Sequence, residues 1–259
     1  MLLRSLTKHV KDQNWFAVAL DFVIVVFGVF IGLQVQQWSE GQSEAAQELE
    51  ILQSIADDLS SDRPEYAAGR AFAMSGLRAA NYLLQEATGN PVDDLVMPAT
   101  NIPQVNNDGA LLMLPSQSAP TANERQRLWS MIMVTYNPQP GTVALDSLVA
   151  TGKLDIIKDK EFVADLQDYR DVTNGLRGSQ DSSYRPIRNQ ALSIGLKQGL
   201  SAFSAIPPED LIKLTAENPE LAAAIRLQTE YTVIHLSQIE EADKRAADLL
   251  DSLRAMGVE

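Results

Sequence analysis

The sequence predicts an all-α protein, in which a single N-terminal transmembrane helix precedes an extracytoplasmic antiparallel helical bundle interrupted by one irregular proline-rich insertion. Three observations carry that expectation. An unbroken apolar run lies near the N-terminus, the remaining chain repeats apolar residues at three- and four-residue spacing, and helix-capping signals recur between those repeats. A chain of 259 residues with 45% hydrophobic and 21% charged content has the composition of a folded protein, with enough apolar residues for one substantial core or two small ones. The expected organisation is a cytoplasmic tail over 1–14, a transmembrane helix over 15–38 and a periplasmic helical domain over 39–259, with the insertion at 89–120.

The apolar run reads "NWFAVALDFVIVVFGVFIGLQVQQWSE". As a helix, Trp15 to Trp38 would rise about 34 Å at roughly 1.5 Å per residue, close to the thickness of a hydrocarbon core with its interfaces. Trp15 and Trp38 fall where interfacial aromatic anchors belong. The fourteen Phe, Val, Leu and Ile residues between them each favour insertion by about 0.3 to 0.6 kcal/mol, against a cost of roughly 2.5 to 3.5 kcal/mol for Asp21. Insertion therefore wins. At 100° per residue Asp21, Gly28 and Gly32 fall on one narrow stripe, and the small pair permits close backbone approach, so this stripe is the expected helix-packing surface. Its expected occupant is a second copy of the chain or another membrane protein.

Flanking charge sets the expected orientation. Arg4, Lys8 and Lys11 precede the run, whereas Glu40, Glu44, Glu48, Glu50, Asp57, Asp58 and Asp62 follow it before the first base, Arg63. The positive-inside rule then leaves the N-terminus in the cytoplasm and the acidic remainder outside. A net charge of −13 argues against nucleic acid as a partner. Cysteine is absent, which excludes disulfides, thiolate metal sites and cysteine nucleophiles.

Beyond the span, Ala45, Leu49, Leu52, Ala56 and Leu59 form a helical stripe, with Gly41 as the expected bend. Pro64 suits the first turn of a second, antiparallel helix that stops at Gly89-Asn90-Pro91. Residues 89–120 hold five prolines and the turn run "NNDG", which predicts an irregular excursion with a short hairpin. Thr121 and Glu124 form a capping box for "ANERQRLWSMIMVTY". A short helix should stop at Gly152, a brief extended piece should carry Leu154, Ile156 and Ile157, and Asp159 should cap a helix running to about 199 with Phe162, Leu166, Tyr169 and Leu176 on one face. Asn218-Pro219 opens the last helix, where Ala224, Leu227, Tyr231 and Ile234 shift to Ile239, Ala242, Ala246, Leu249 and Leu253 as the expected core stripe.

Catalytic signatures are missing from the sequence. "SLTK" lies in the short tail, and "ATGKLD" lacks both the upstream glycine and the hydroxyl residue of a phosphate loop. His235 has no carboxylate at i±3 or i±4 and reads as a hydrogen-bonded core histidine, and the ladder Glu40, Glu44, Glu48 reads as a solvated face. No metal, cofactor or catalytic residue is expected.

Two stretches, "NWFAVALDFVIVVFGVFIGLQVQQWSE" and "LDSLVATGKLDIIKDKEFVADLQDY", resemble an uncharacterised family of proteobacterial single-pass membrane proteins, a domain of unknown function. Ser39 stands where that pattern has asparagine. The resemblance implies an inner-membrane anchor and brings no activity or binding residues. The expected function is that of a membrane-anchored scaffolding or accessory module and not an enzyme. The alternatives are a small-ligand sensor with an apolar pocket near Trp129 and Tyr169, or a carboxylate-dependent enzyme.

Overall fold

The computed structural model describes residues 15–96 and 111–258; the expected cytoplasmic tail and the "NNDG" turn lie outside them. The described residues are predominantly helical, with one two-residue strand pair. In chain order they comprise α1 (Trp15–Thr88), a two-residue strand pair β1 (Leu95–Val96) and β2 (Leu111–Leu112), α2 (Ala122–Arg125), α3 (Leu128–Met133) and α4 (Val143–Thr151). A 3-10 turn (Leu154–Ile156), α5 (Lys160–Ser179), a π turn (Gln180–Tyr184), α6 (Arg185–Lys197), α7 (Pro208–Glu217) and α8 (Pro219–Ala255) complete it. The strands pair antiparallel, Leu95 with Leu112 and Val96 with Leu111, which is the hairpin expected in the insertion. The chain divides into two units, one ending at Glu50 and the other covering residues 51–259.

Local chemistry explains most boundaries. Thr121 and Glu124 make the reciprocal capping box, Asp159 accepts from the N–H groups of Glu161 and Phe162, and Asn218 accepts from that of Leu221. Gly152 ends α4 in the left-handed region at φ 66°, where a side chain would be strained. Elsewhere the structure departs from expectation. Gly41 and Pro64 both lie inside α1, so the helix neither breaks nor turns back at Pro64. A proline inside a helix costs about 3 kcal/mol through its missing N–H and a steric clash, and here Leu59, Asp62 and Tyr66 are buried on both sides of it. Packing overrides the local preference. The expected extended piece after Gly152 is a 3-10 turn, and the expected single helix over residues 160–199 contains a π turn.

In the second unit the core falls into two large apolar clusters. One joins Leu52, Ile55 and Leu59 of α1 to α4, α5 and the C-terminal half of α8; the other joins Leu83 and Leu84 of α1 to α3, α6, α7 and the first turns of α8. A smaller cluster, Ala73, Leu77, Val233 and Leu236, lies on the stretches of α1 and α8 between them in sequence. The π turn joins α5, which serves the first large cluster, to α6, which serves the second. An extra residue in the helical ladder changes which face points inward, so the turn re-phases the chain between the two clusters.

The buried face of α8 differs from its expected stripe. Its C-terminal half buries Ile239, Ala242, Ala246, Leu249 and Leu253 as expected, but its first half buries Gln228, Thr229, Thr232 and His235, while Leu227 is 36% exposed and Tyr231 and Ile234 are half-buried. Of the residues expected on the stripe in that half, Ala224 is buried, and Leu227, Tyr231 and Ile234 were the misleading ones.

Candidate functional site

Residues 20–35 turn almost every large apolar side chain outward. Exposure ranges from 45% at Val23 to 69% at Phe22. The segment belongs to the one described helix long and apolar enough to cross a membrane, with mean hydropathy 2.0 over its most apolar window and none of that window buried. Asp21, Gly28 and Gly32 are exposed on this helix, and a Cβ built on either glycine meets nothing within 4 Å. Trp38 is 66% exposed; Trp15 opens the helix, and its side chain lies outside the described atoms. Gln36 donates to Glu40 at 2.8 Å. Among the described residues no cluster of His, Asp or Glu is arranged to hold a metal ion.

Inside the second unit, polar groups are engaged with one another. Asp62, 1% exposed, accepts from the Tyr169 hydroxyl at 2.5 Å and the Gly141 N–H at 2.5 Å, and Tyr169 in turn pairs with Tyr66 at 2.9 Å. Burial raises the Asp62 carboxyl above its ordinary range, while the Tyr169 and Gly141 hydrogen bonds oppose that shift. Burial likewise pushes both phenols upward, so they remain neutral donors. Asp58 accepts from the Ala144 N–H at 2.9 Å, and Arg177 donates to the Pro140 carbonyl. Asp146 receives Arg170 at 2.8 Å and the Thr142 hydroxyl at 2.7 Å. Together these bonds pin the 138–144 segment to α1 and α5. The space beside Asp58, Thr142 and Tyr169 is about 10 Å³, too small for a substrate. Asp243 ties α8 to α1 by pairing with Arg63 and, at 2.9 Å, with Arg70.

His235 is buried and stacks on Tyr184 with ring centroids 4.2 Å apart. The expected hydrogen-bonded histidine is not found, since neither ring nitrogen has a well-formed hydrogen bond among the described residues. Desolvation holds its pKa down to about 4, against a small opposing contribution from the Tyr136 backbone, so the imidazole is neutral at pH 7. The core position of His235 was expected, but the buried Gln228, Thr229 and Thr232 beside it were not, because Gln and Thr on a helix resemble a solvated face; the closeness of Tyr184 was set by the π turn.

Trp129 is fully buried, donates its indole N–H to the Ser201 carbonyl at 2.8 Å, and lies against Gly195, where a Cβ would fall 2.3 Å from the ring. The surroundings of Trp129 are filled. A roomier open cleft of about 490 Å³ lies elsewhere, lined by Asn81, Tyr82, Asp93, Asp94 and Gln117 among others. Arg125 covers one face of the Tyr82 ring at 5.1 Å.

No family model, curated protein or solved structure matches this chain. Roles therefore rest on the residues themselves. The described sites comprise an outward-facing apolar helix and an interlocked helical body, with the cleft beside Tyr82 as the roomiest of the cavities described above.

Proposed function

We propose that this protein is a single-pass inner-membrane protein whose residues 39–259 form a periplasmic antiparallel helical bundle that acts as a binding or scaffolding accessory module. The observation that carries the reading is the exposure of the large apolar side chains along residues 20–35, which leaves them needing lipid or another helix around them. The bases before the run and the acids after it support the orientation. Asp21, Gly28 and Gly32 form the partner-facing stripe, because the open space at both glycines lets a second backbone approach closely. The partner is a second copy of the chain or the helix of another membrane protein.

The cleft beside Tyr82 favours a second reading, a small-ligand sensor. Its volume falls in the range of small-molecule sites and its lining mixes an aromatic ring with amides and carboxylates. A sensor would melt at higher temperature with ligand bound, whereas a pure scaffold would not.

The chain has no cysteine, so single substitutions Gly28→Cys and Gly32→Cys report contacts on a clean background. Oxidation in native membranes is expected to give a disulfide-linked dimer or a heterologous adduct from at least one position. Monomer alone from both, with efficient labelling by a membrane-permeant thiol reagent, would contradict the packing stripe.

A further inference from the structure

Beside the π turn a cavity of about 10 Å³ is lined by Gly76 of α1, Met131 of α3, Thr135, Tyr184 and, on α8, Gln228 and Thr232. That volume suits one water molecule and nothing larger. Gln228 is 1% exposed, and its side-chain oxygen has no hydrogen-bond donor among the described residues. A buried amide oxygen left bare costs about 1–3 kcal/mol, so it calls for a donor. Neither Thr232 nor Tyr184 supplies one: Thr232 donates to the Gln228 carbonyl at 2.7 Å, which leaves Tyr184 as the donor to the Thr232 oxygen at 3.5 Å. A second acceptor faces the same space. The Met131 carbonyl lies in the last turn of α3, where the helix supplies no N–H, and a Cβ at Gly76 would stand only 3.1 Å from it.

We propose that this cavity is a binding site for one ordered water molecule, which donates to the Gln228 Oε1 and the Met131 carbonyl and accepts from the Thr135 hydroxyl. Three polar partners are what a buried water ordinarily has. A monovalent cation would also find oxygen ligands here, but no carboxylate lines the cavity to balance its charge, and burying an unpaired charge is far costlier than burying water. Gly76 keeps the site open. The water would link α3 and α8 beside the π turn.

The test is a high-resolution crystal structure of the full chain in detergent, with and without potassium exchanged for rubidium, alongside the variant Gln228→Met. One water-sized peak within hydrogen-bond distance of both acceptors, lacking anomalous rubidium signal and lost in Gln228→Met, is the expected result. An empty cavity, a rubidium signal, or a peak that persists unchanged in the variant would overturn the assignment. Should the variant fail to fold, the wild-type peak and the rubidium experiment decide alone.

Discussion

Residues 20–35 and the interior of the second unit place their apolar and polar side chains by different rules. The first carries the most apolar residues of the chain on its outside, whereas the second encloses its apolar clusters and buries Asp62, Gln180, Gln228, Thr229, Thr232 and His235 along with them. The contrast teaches that burial by hydropathy holds only relative to the solvent. An apolar surface is stable in lipid, and polar groups inside an apolar core are stable where each finds a partner or stays neutral.

The largest effect should come from reversing the outside of the first region. Val26→Arg with Phe30→Arg adds two charges costing roughly 2.5 to 3.5 kcal/mol each at mid-membrane, about 5–7 kcal/mol together. The double variant should leave the membrane fraction, as measured by fractionation and immunoblotting, and full membrane retention would break the contrast. Inside the second region, Asp62→Ala leaves the Tyr169 hydroxyl and the Gly141 N–H without their acceptor, an expected loss of about 2–4 kcal/mol in denaturant unfolding.

The neutral His235 sharpens the comparison through pH. Its folded pKa, about 4, lies below the ordinary 6.5, so its contribution is fully present above 6.5 and is lost as pH falls through about 4. Stability should drop by about 3 kcal/mol across that window. Asp62 acts oppositely, because its raised pKa gives a contribution present at low pH and lost as pH rises through the folded value. Thermal melts of His235→Phe should therefore show a flatter acid limb with the Asp62 contribution unchanged. The smallest effects compare glycines. Gly195→Ala drives a Cβ into the buried Trp129 ring and should cost about 1–3 kcal/mol. Gly32→Ala meets open space and should leave the melt of the second unit unmoved while weakening helix association in membranes.

Much of this fold was legible because capping is local. Thr121, Gly152, Asp159 and Asn218 each satisfy or end a helix with atoms a few residues away, and all four act as their sequence context implies. Pro64 misled because its cost is met by distant packing. The first half of α8 misled because its buried face mixes Gln228, Thr229, Thr232 and His235 with apolar residues, and Leu227 could be recognised as exposed only once Thr232 and His235 were seen to have Tyr184 beside them. The π turn that supplies Tyr184 has no sequence signature. Asp21, Gly28, Gly32 and Trp38 could be placed on one helix from sequence, since a long apolar run needs no tertiary information to be read as a helix.

Alkaline carbonate extraction of native membranes carrying the full chain asks whether residues 20–35 hold the protein in the bilayer. A helix lodged in lipid through residues 16–35 keeps the protein in the membrane pellet at high pH, where peripheral proteins are stripped off. Recovery of the intact chain in the carbonate supernatant would contradict it.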